Sequence, residues 1–287
     1  MKVDIKPLGR MKGGQDGAIF GDYLFRFGSR GHGYAYDLGN LGESEELTPI
    51  AEFDLDKSDI IAPHSNAVVF GIEKYSGEDE FPLLYSNIYN NYSKCEDKLV
   101  GVTCVYRIRP DGESFTTELV QLIEIGFTDD EELWRSGGDT PDVRPYGNFV
   151  IDRDRGLYIG FVMRDADRTT RYFAFDLPRL ADGTPDEVYG VNRVVLTPDD
   201  IRWQFDTLYH NYIQGATCHG GKVYSVEGFH ENIHPAVRVI DTEEGRQLLY
   251  NDFFLSGQPK EAEFIDFYRG RCIYSDAEGN IFELIFE

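Results

Sequence analysis

Five copies of one pattern constrain this chain more than anything else in it. Each copy is a set of short strand-like runs separated by turn residues. The first runs are "DGAIF" from 16, "SNAVVFG" from 65, "GNFVID" from 147, "QGATC" from 214 and "AEFIDF" from 262. The second are "YLFRF" from 23, "FPLLYSN" from 81, "GLYIGFV" from 156, "GKVYSVEG" from 221 and "RCIYSD" from 271. The third are "GYAYDL" near 33, "TCVYRI" near 103, "RYFAFDL" near 171, "AVRVID" near 236 and "NIFELI" near 280. Four copies add a further polar-apolar segment, such as "LTPIAEFDLD" or "TTELVQLIEI". Repeated meanders at a long, loop-dependent period are the signature of a β-propeller, a ring of four-stranded antiparallel blades. The reading is a single all-β domain over residues 1–287, a propeller of five blades.

The fifth copy offers only three strands, and "VDIKPL" near the N-terminus is left over. We expect that segment to supply the outer strand of the last blade. Such pairing closes the ring and covers an otherwise open edge. Long helical periodicity is nearly absent. "TPDDIRWQFD" places Thr197 at an N-cap and Pro198 at the first helical position, which suits one short helix. Asp111-Gly112, Asp182-Gly183 and Glu278-Gly279 read as hairpin turns.

Composition narrows the function. The formal net charge is −23, with 51 acidic and 28 basic residues. That argues against nucleic acid and anionic membranes, which require basic surfaces. No apolar run reaches the length of a membrane span. The opening residues, MKVDIKPLGR, carry no apolar leader. Cys95, Cys104, Cys218 and Cys272 are widely spaced, and the last three read as core thiols. A cytoplasmic protein is expected.

"PHSNAVVFG", residues 63–71, opens on hydrogen-bonding side chains and turns into an apolar run. The first strand of each blade lines the central channel. Aligning those strands gives one column of Gly17, Asn66, Asn148, Gly215 and Glu263, and another of Gln15, His64, Tyr146, Ile213 and Glu261. Asp16 and Gln214 fall between the columns. Arg144, His210 and Tyr212 lie in adjoining segments. His64 and Asn66, two apart in a strand, are expected on one face. These residues are expected to converge at the mouth of the channel. Polar lining residues also serve simply to seal neighbouring blades and bind water.

Two kinds of chemistry suit such a mouth. Glycoside hydrolysis uses paired carboxylates, and Asp16 with Glu261 or Glu263 supplies a pair on neighbouring blades; His64 as acid/base with Glu263 is a second arrangement. Oxygen-rich Asp16, Asn66, Asn148 and Glu263 suit Ca²⁺. No nucleophile elbow and no phosphate-binding loop is present.

The chain resembles the five-bladed β-propellers over nearly its whole length. More narrowly, "GGQDGAIF…LFRF…YAYDL", "PHSNAVVFG…FPLLYSN" and "EFIDF…CIYSD" resemble a group of uncharacterised bacterial propeller proteins. The broader class includes glycosidases and sugar-binding lectins. The resemblance implies carboxylates at the inner-strand mouths, which Asp16, Glu261 and Glu263 match, whereas Asn66, Asn148 and Gly215 depart from it. The expected function is binding, or binding and processing, of a small polar ligand such as a carbohydrate. Arg144, Tyr146, Asn148, His210, Tyr212, Gln214, Gln15 and Asn66 would contact it. The competing reading is a non-enzymatic scaffold for a protein partner, with a water- or cation-filled channel.

Overall fold

The structure, a computed structural model, describes residues 2–88, 99–134, 144–164, 166–210, 212–229 and 233–287, with the backbone alone at 144–147. An N-terminal strand, β1 (Val3–Arg10), precedes blade 1, formed by β2 (Gly17–Phe20), β3 (Tyr23–Phe27), β4 (His32–Asp37) and β5 (Ala51–Asp54). Blade 2 holds β6 (Val68–Phe70), β7 (Leu84–Asn87), β8 (Val102–Asp111) and β9 (Ser114–Ile125). Blade 3 begins with β10 (Arg144–Asp152), β11 (Leu157–Arg164) and β12 (Thr169–Asp176). A hairpin, β13 (Thr184–Asp186) and β14 (Val191–Leu196), intervenes before its outer strand β15 (Trp203–Leu208). Blade 4 is β16 (Ile213–His219), β17 (Lys222–Phe229), β18 (Ile233–Asp241) and β19 (Arg246–Asp252). Blade 5 is β20 (Ala262–Tyr268), β21 (Arg271–Asp276) and β22 (Asn280–Phe286).

The ring is a five-bladed β-propeller, and β1 closes it. β1 pairs antiparallel with β22, Val3 opposite Phe286 and Arg10 opposite Asn280, so both strands share the sheet of blade 5. Val3 and Leu8 on β1 are buried, which anchors the strand by hydrophobic burial as well as by its ladder.

Five hydrophobic clusters hold the ring, one at each seam between blades. Their origin is the apolar run of each inner strand. Val68 and Phe70 face blade 1, while Ala67 and Val69 face blade 3. Both faces of the strand are buried, so the run is continuous rather than alternating. The seam between blades 1 and 2 is rich in Phe. The Phe25 ring meets Phe53, Phe70, Phe81 and Phe115 edge-on at centroid distances of 5.0–6.0 Å. Each such pair contributes roughly 0.5–1.5 kcal/mol beyond its buried area.

The sequence reading did not foresee the β13–β14 hairpin. It leaves blade 3 and joins blade 2, where β14 runs parallel to β9 from Asn192 opposite Gln121 to Leu196 opposite Ile125. The long β9 would otherwise present an open row of backbone groups, a hazard that proteins cover. Arg193 secures the attachment by bonding Glu124 Oε2 at 2.8 Å and Asp186 Oδ2 at 2.8 Å. The helix expected at Thr197 is a single 3₁₀ turn, Pro198–Asp200, in which the Thr197 N–H donates to Asp200 Oδ2 at 2.8 Å. The chain then turns into β15, whose Trp203 and Phe205 pack against the cluster between blades 3 and 4. Among the described residues no helix is long and apolar enough to cross a membrane. Cys104, Cys218 and Cys272 are free and buried, and Cys95 lies outside the described residues.

Candidate functional site at the channel mouth

Inner strands of adjacent blades share no ladder, so their facing backbone groups need other partners. Polar side chains bridge every seam, to a backbone group at three of them and to another side chain at the other two. Asp16 Oδ2 of blade 1 accepts the Val68 N–H of blade 2 at 3.0 Å. Asn87 Nδ2 of blade 2 donates to Asn148 Oδ1 of blade 3 at 2.9 Å, and also to Asn66 Oδ1. Asn148 Nδ2 donates to the Ile213 carbonyl of blade 4 at 3.2 Å. The Thr217 hydroxyl of blade 4 donates to Asp266 Oδ1 of blade 5 at 2.9 Å. Asp266 Oδ2 accepts the Ile19 N–H of blade 1 at 2.7 Å, which completes the circuit. β6 and β16, on non-adjacent blades, have Cα atoms within 8 Å of each other, so the channel is narrow there.

This circuit revises the geometry expected of residues 63–71. β6 begins only at Val68, and Ser65 adopts a left-handed backbone with φ 61°. His64 and Asn66 are therefore not strand neighbours on one face. Ser65 is instead buried, accepts the Asp16 N–H on its carbonyl at 3.1 Å and receives the Ser86 hydroxyl at 3.0 Å. Asn66 and Asn148 are buried in the seam network, and Ile213 lies in the apolar cluster between blades 3 and 4.

A second set of the expected residues gathers where blades 4, 5 and 1 meet. Asp16 and Glu263 are 0% and 4% exposed. Asp16 Oδ1, Glu263 Oε2 and Gln15 Oε1 are buried and have no hydrogen-bond partner. Gln214 Nε2 bridges to Glu261 Oε1 at 2.7 Å and to the Gly228 carbonyl at 3.1 Å. Gly215 explains the close approach: a Cβ there would lie 2.7 Å from the Glu263 carbonyl oxygen and 3.0 Å from Asp16 Oδ1. Burial raises the Glu263 carboxyl well above its usual range, Glu261 and Asp16 push it further up, and Arg26 opposes them. Burial likewise raises Asp16 well above the usual range, against the hydrogen bonds from Val68 and Gly17. Half-buried His64 is lowered to about 4 by burial and is neutral at pH 7.

Half-buried Tyr212 precedes β16 with a left-handed backbone, φ 54°. Its ring stacks on Phe229 with centroids 4.9 Å apart and planes 7° from parallel. Ordinary residues held at positive φ carry strain that the surrounding structure must impose; here the Gly228 N–H donates to the Tyr212 carbonyl at 3.0 Å. His210 lies elsewhere. It is 0% exposed, its Nδ1 faces the Tyr172 hydroxyl at 3.4 Å, and burial with Arg238 nearby holds it well below the usual imidazole range. The side chains of Arg144 and Tyr146 lie outside the described residues, although the backbone of both belongs to β10.

Arg26 is the residue that sequence reasoning missed. It is fully buried, and its Nε and Nη1 donate to the Gln15 carbonyl and the Ser275 hydroxyl, each at 2.6 Å. It thereby ties blade 1 to blade 5 beneath the two carboxyls. Asn87 and Asp266 were missed as well. A signal was present: each interrupts or ends a largely apolar second or first strand, in "YLFRF", "LLYSN" and "EFIDF", and buried polar residues are the informative ones. Among the described residues no three His, Cys, Asp or Glu side chains are grouped to hold a metal ion. A Ca²⁺ ion at the mouth would have to rely on amide or backbone oxygens.

No family model matches the sequence, and no curated protein matches it significantly. Solved structures with a similar course include BamB from Moraxella catarrhalis, at 10% identity and a TM-score of 0.34. That match covers 97% of this chain but only 59% of the BamB chain. The computationally designed Ika8 protein matches at 9% identity and a TM-score of 0.37, covering 98% of this chain and 100% of Ika8. A putative oxidoreductase (glucose dehydrogenase) from Thermus thermophilus matches at 9% identity and a TM-score of 0.48, covering 99% of this chain and 100% of that one. Values this low identify neither a family nor an activity.

Proposed function

We propose that this propeller binds a small polar ligand at the channel mouth bounded by Gln15, Asp16, His64, Gln214, Glu261 and Glu263. The observation that carries the reading is the pair of buried carboxyl oxygens, Asp16 Oδ1 and Glu263 Oε2, with no protein partner. Buried polar atoms are nearly always satisfied, and an exception calls for a ligand, an ion or water. Tyr212, stacked on Phe229 two residues before Gln214, adds an aromatic group of the kind that carbohydrate binding would use. Binding is favoured over glycoside hydrolysis. A hydrolytic pair needs one protonated and one ionised carboxyl, held by environments that push them apart. Here burial pushes both Asp16 and Glu263 upward.

A scaffold role is the second reading, favoured by the seam circuit: Asn148 and one oxygen of Asp16 already serve neighbouring blades, and Asn66 is taken by Asn87 of its own blade. Thermal unfolding with mono- and oligosaccharides, with Ca²⁺ and with EDTA separates the two. A ligand bound only by the native state stabilises it by about 2.7 kcal/mol at a hundredfold excess over Kd. The binding reading expects a shift with one class of ligand that Glu263→Gln removes. No shift with any member of the panel would leave the scaffold.

A further inference from the structure

We propose that the seam between blades 5 and 1 is a proton-dependent latch, closed while Asp16 and Glu263 carry protons and loosened when they ionise. The inference stands apart from ligand binding, because it concerns the wall of the mouth rather than an occupant.

The observation is where the buried acids of the ring have counter-ions and where they do not. Three lie away from this seam, and each holds an arginine: Asp79 with Arg107 at 2.7 Å, Asp152 with Arg155 at 2.6 Å and Glu227 with Arg238 at 3.0 Å. Four more, Asp16, Glu263, Asp266 and Asp276, are buried in blades 5 and 1. Among the described residues none of these four makes an ion pair. Asp266 and Asp276 are compensated by donors instead. Asp266 takes the Ile19 N–H and the Thr217 hydroxyl, and Asp276 takes the N–H groups of Glu278 and Asn280 and the Asn280 amide. Asp16 Oδ1 and Glu263 Oε2 have no donor. The buried guanidinium at the seam, Arg26, gives its bonds to neutral groups, namely the Gln15 carbonyl, the Ser275 hydroxyl and the Asp276 carbonyl. A buried carboxylate without counter-ion or donor is costly, and protonation removes that cost.

The surroundings favour the protonated state. Glu263 is faced by Glu261, Asp16 and Asp276 against Arg26, and Asp16 by Asp266 against Arg26. Tyr36 and Tyr274 add two phenols that burial keeps neutral. Blade 4 approaches through Gly215, which carries no charge, and His64 is neutral at pH 7. Burial raises both carboxyls well above their usual range. Their contribution to the closed seam is therefore full below the ordinary carboxylate range and is lost as pH rises through the raised values. Between those limits, opening releases a proton from each carboxyl to solvent, so the opening constant rises about tenfold per pH unit for each. The inner strands β2 and β20 share no ladder that would resist the opening. Parting them separates Gln15 and Asp16 from Glu261 and Glu263, the two sides of the mouth.

Amide hydrogen exchange, in buffers from mildly acidic to mildly alkaline pH and corrected for intrinsic rates, tests the latch. The reporters are the N–H groups of Ile19, Arg10 and Leu47, which bond across the seam to Asp266 Oδ2, the Glu45 carbonyl and the Arg10 carbonyl. The control is the Gly126 N–H, which bonds the Leu196 carbonyl where β14 joins blade 2, away from these acids. Across the series the reporters should lose protection at least tenfold more than Gly126. The double variant Asp16→Asn, Glu263→Gln should abolish that difference. Constant protection of the reporters, or an equal loss at Gly126, would overturn the latch, and this comparison in the unaltered protein stands whether or not the double variant folds. A difference that persists in a double variant shown to be folded by circular dichroism would overturn the assignment to this pair. The exchange is read without ligand, so its failure leaves the binding reading to the thermal-unfolding panel.

Discussion

Asp266 of blade 5 accepts the Ile19 N–H of blade 1 at 2.7 Å, across the seam where the end of the ring meets its beginning. The same carboxyl takes the Thr217 hydroxyl of blade 4. One side chain thus joins three blades at the channel wall. Asp266→Ala leaves buried donors unpaired, each worth roughly 1–3 kcal/mol. We expect a loss of about 3 kcal/mol, measured as a lower urea midpoint with an unchanged slope. An unchanged midpoint would mean that the seam bond contributes nothing to stability.

Asn87 is the corresponding hub between blades 2 and 3. It donates to Asn66 and Asn148 and accepts the Ala67 N–H at 3.1 Å. Asn87→Asp removes both donations and sets a carboxylate against two carbonyl oxygens. It should destabilise more than Asn87→Ala, for which roughly 2 kcal/mol is expected. Urea denaturation of the two variants side by side tests the order.

The pH dependence follows from Glu263. Its carboxyl in the folded chain is raised well above the usual 4.5, so folding takes up a proton in the window above that value. The stability it contributes is full below about pH 4.5 and is lost as pH rises through the raised folded value. Glu263→Gln should therefore raise the melting temperature at neutral pH and flatten its fall across the window above the ordinary carboxylate range. A variant with the wild-type slope across that window would assign the dependence to other groups.

Arg26 should be the most damaging of the mouth residues to truncate. Arg26→Met leaves the Gln15 carbonyl and the Ser275 hydroxyl without their donor and removes the cation that opposes the rise of Asp16 and Glu263. Loss of one charge from such a buried set costs about 3–5 kcal/mol. The loss should shrink as pH falls and more of the raised carboxyls become neutral; guanidinium denaturation at an acidic and at a neutral pH provides the check.

Much of the architecture was legible in the sequence. The five apolar inner runs, the second and third strands and the closing role of "VDIKPL" all follow from strand periodicity and from the need to cover edges, and the sheets agree with each. The hairpin at 184–196 was not legible, because a strand's partner is a tertiary matter and nothing local in "VNRVVL" names β9. Of the candidate site, the convergence of Asp16, Gln214, Glu261 and Glu263 on one region was readable from equivalent positions in successive copies. The division of labour among them was not. Asn66 and Asn148 occupy the same alignment column as Glu263, yet Asn66 bonds Asn87 of its own blade and Asn148 bonds across two seams, while Glu263 Oε2 stays unpartnered. Alignment sees position along a strand, whereas this difference depends on which neighbouring blade presents a backbone group. The left-handed turn at Ser65 defeated the two-residue face rule for the same reason.

The pairing of β1 with β22 also sets an order of assembly. Val3 and Phe286 are neighbours in the sheet but nearly the whole chain apart along it. During synthesis, blades 1 to 4 emerge in order, and each can dock on the one before through a local seam. Blade 5 cannot take its native edge until β22 has been made and β1 is still free to meet it. Contacts of such sequence separation slow folding. Closing the ring is therefore expected to come last, with β1 waiting for β22.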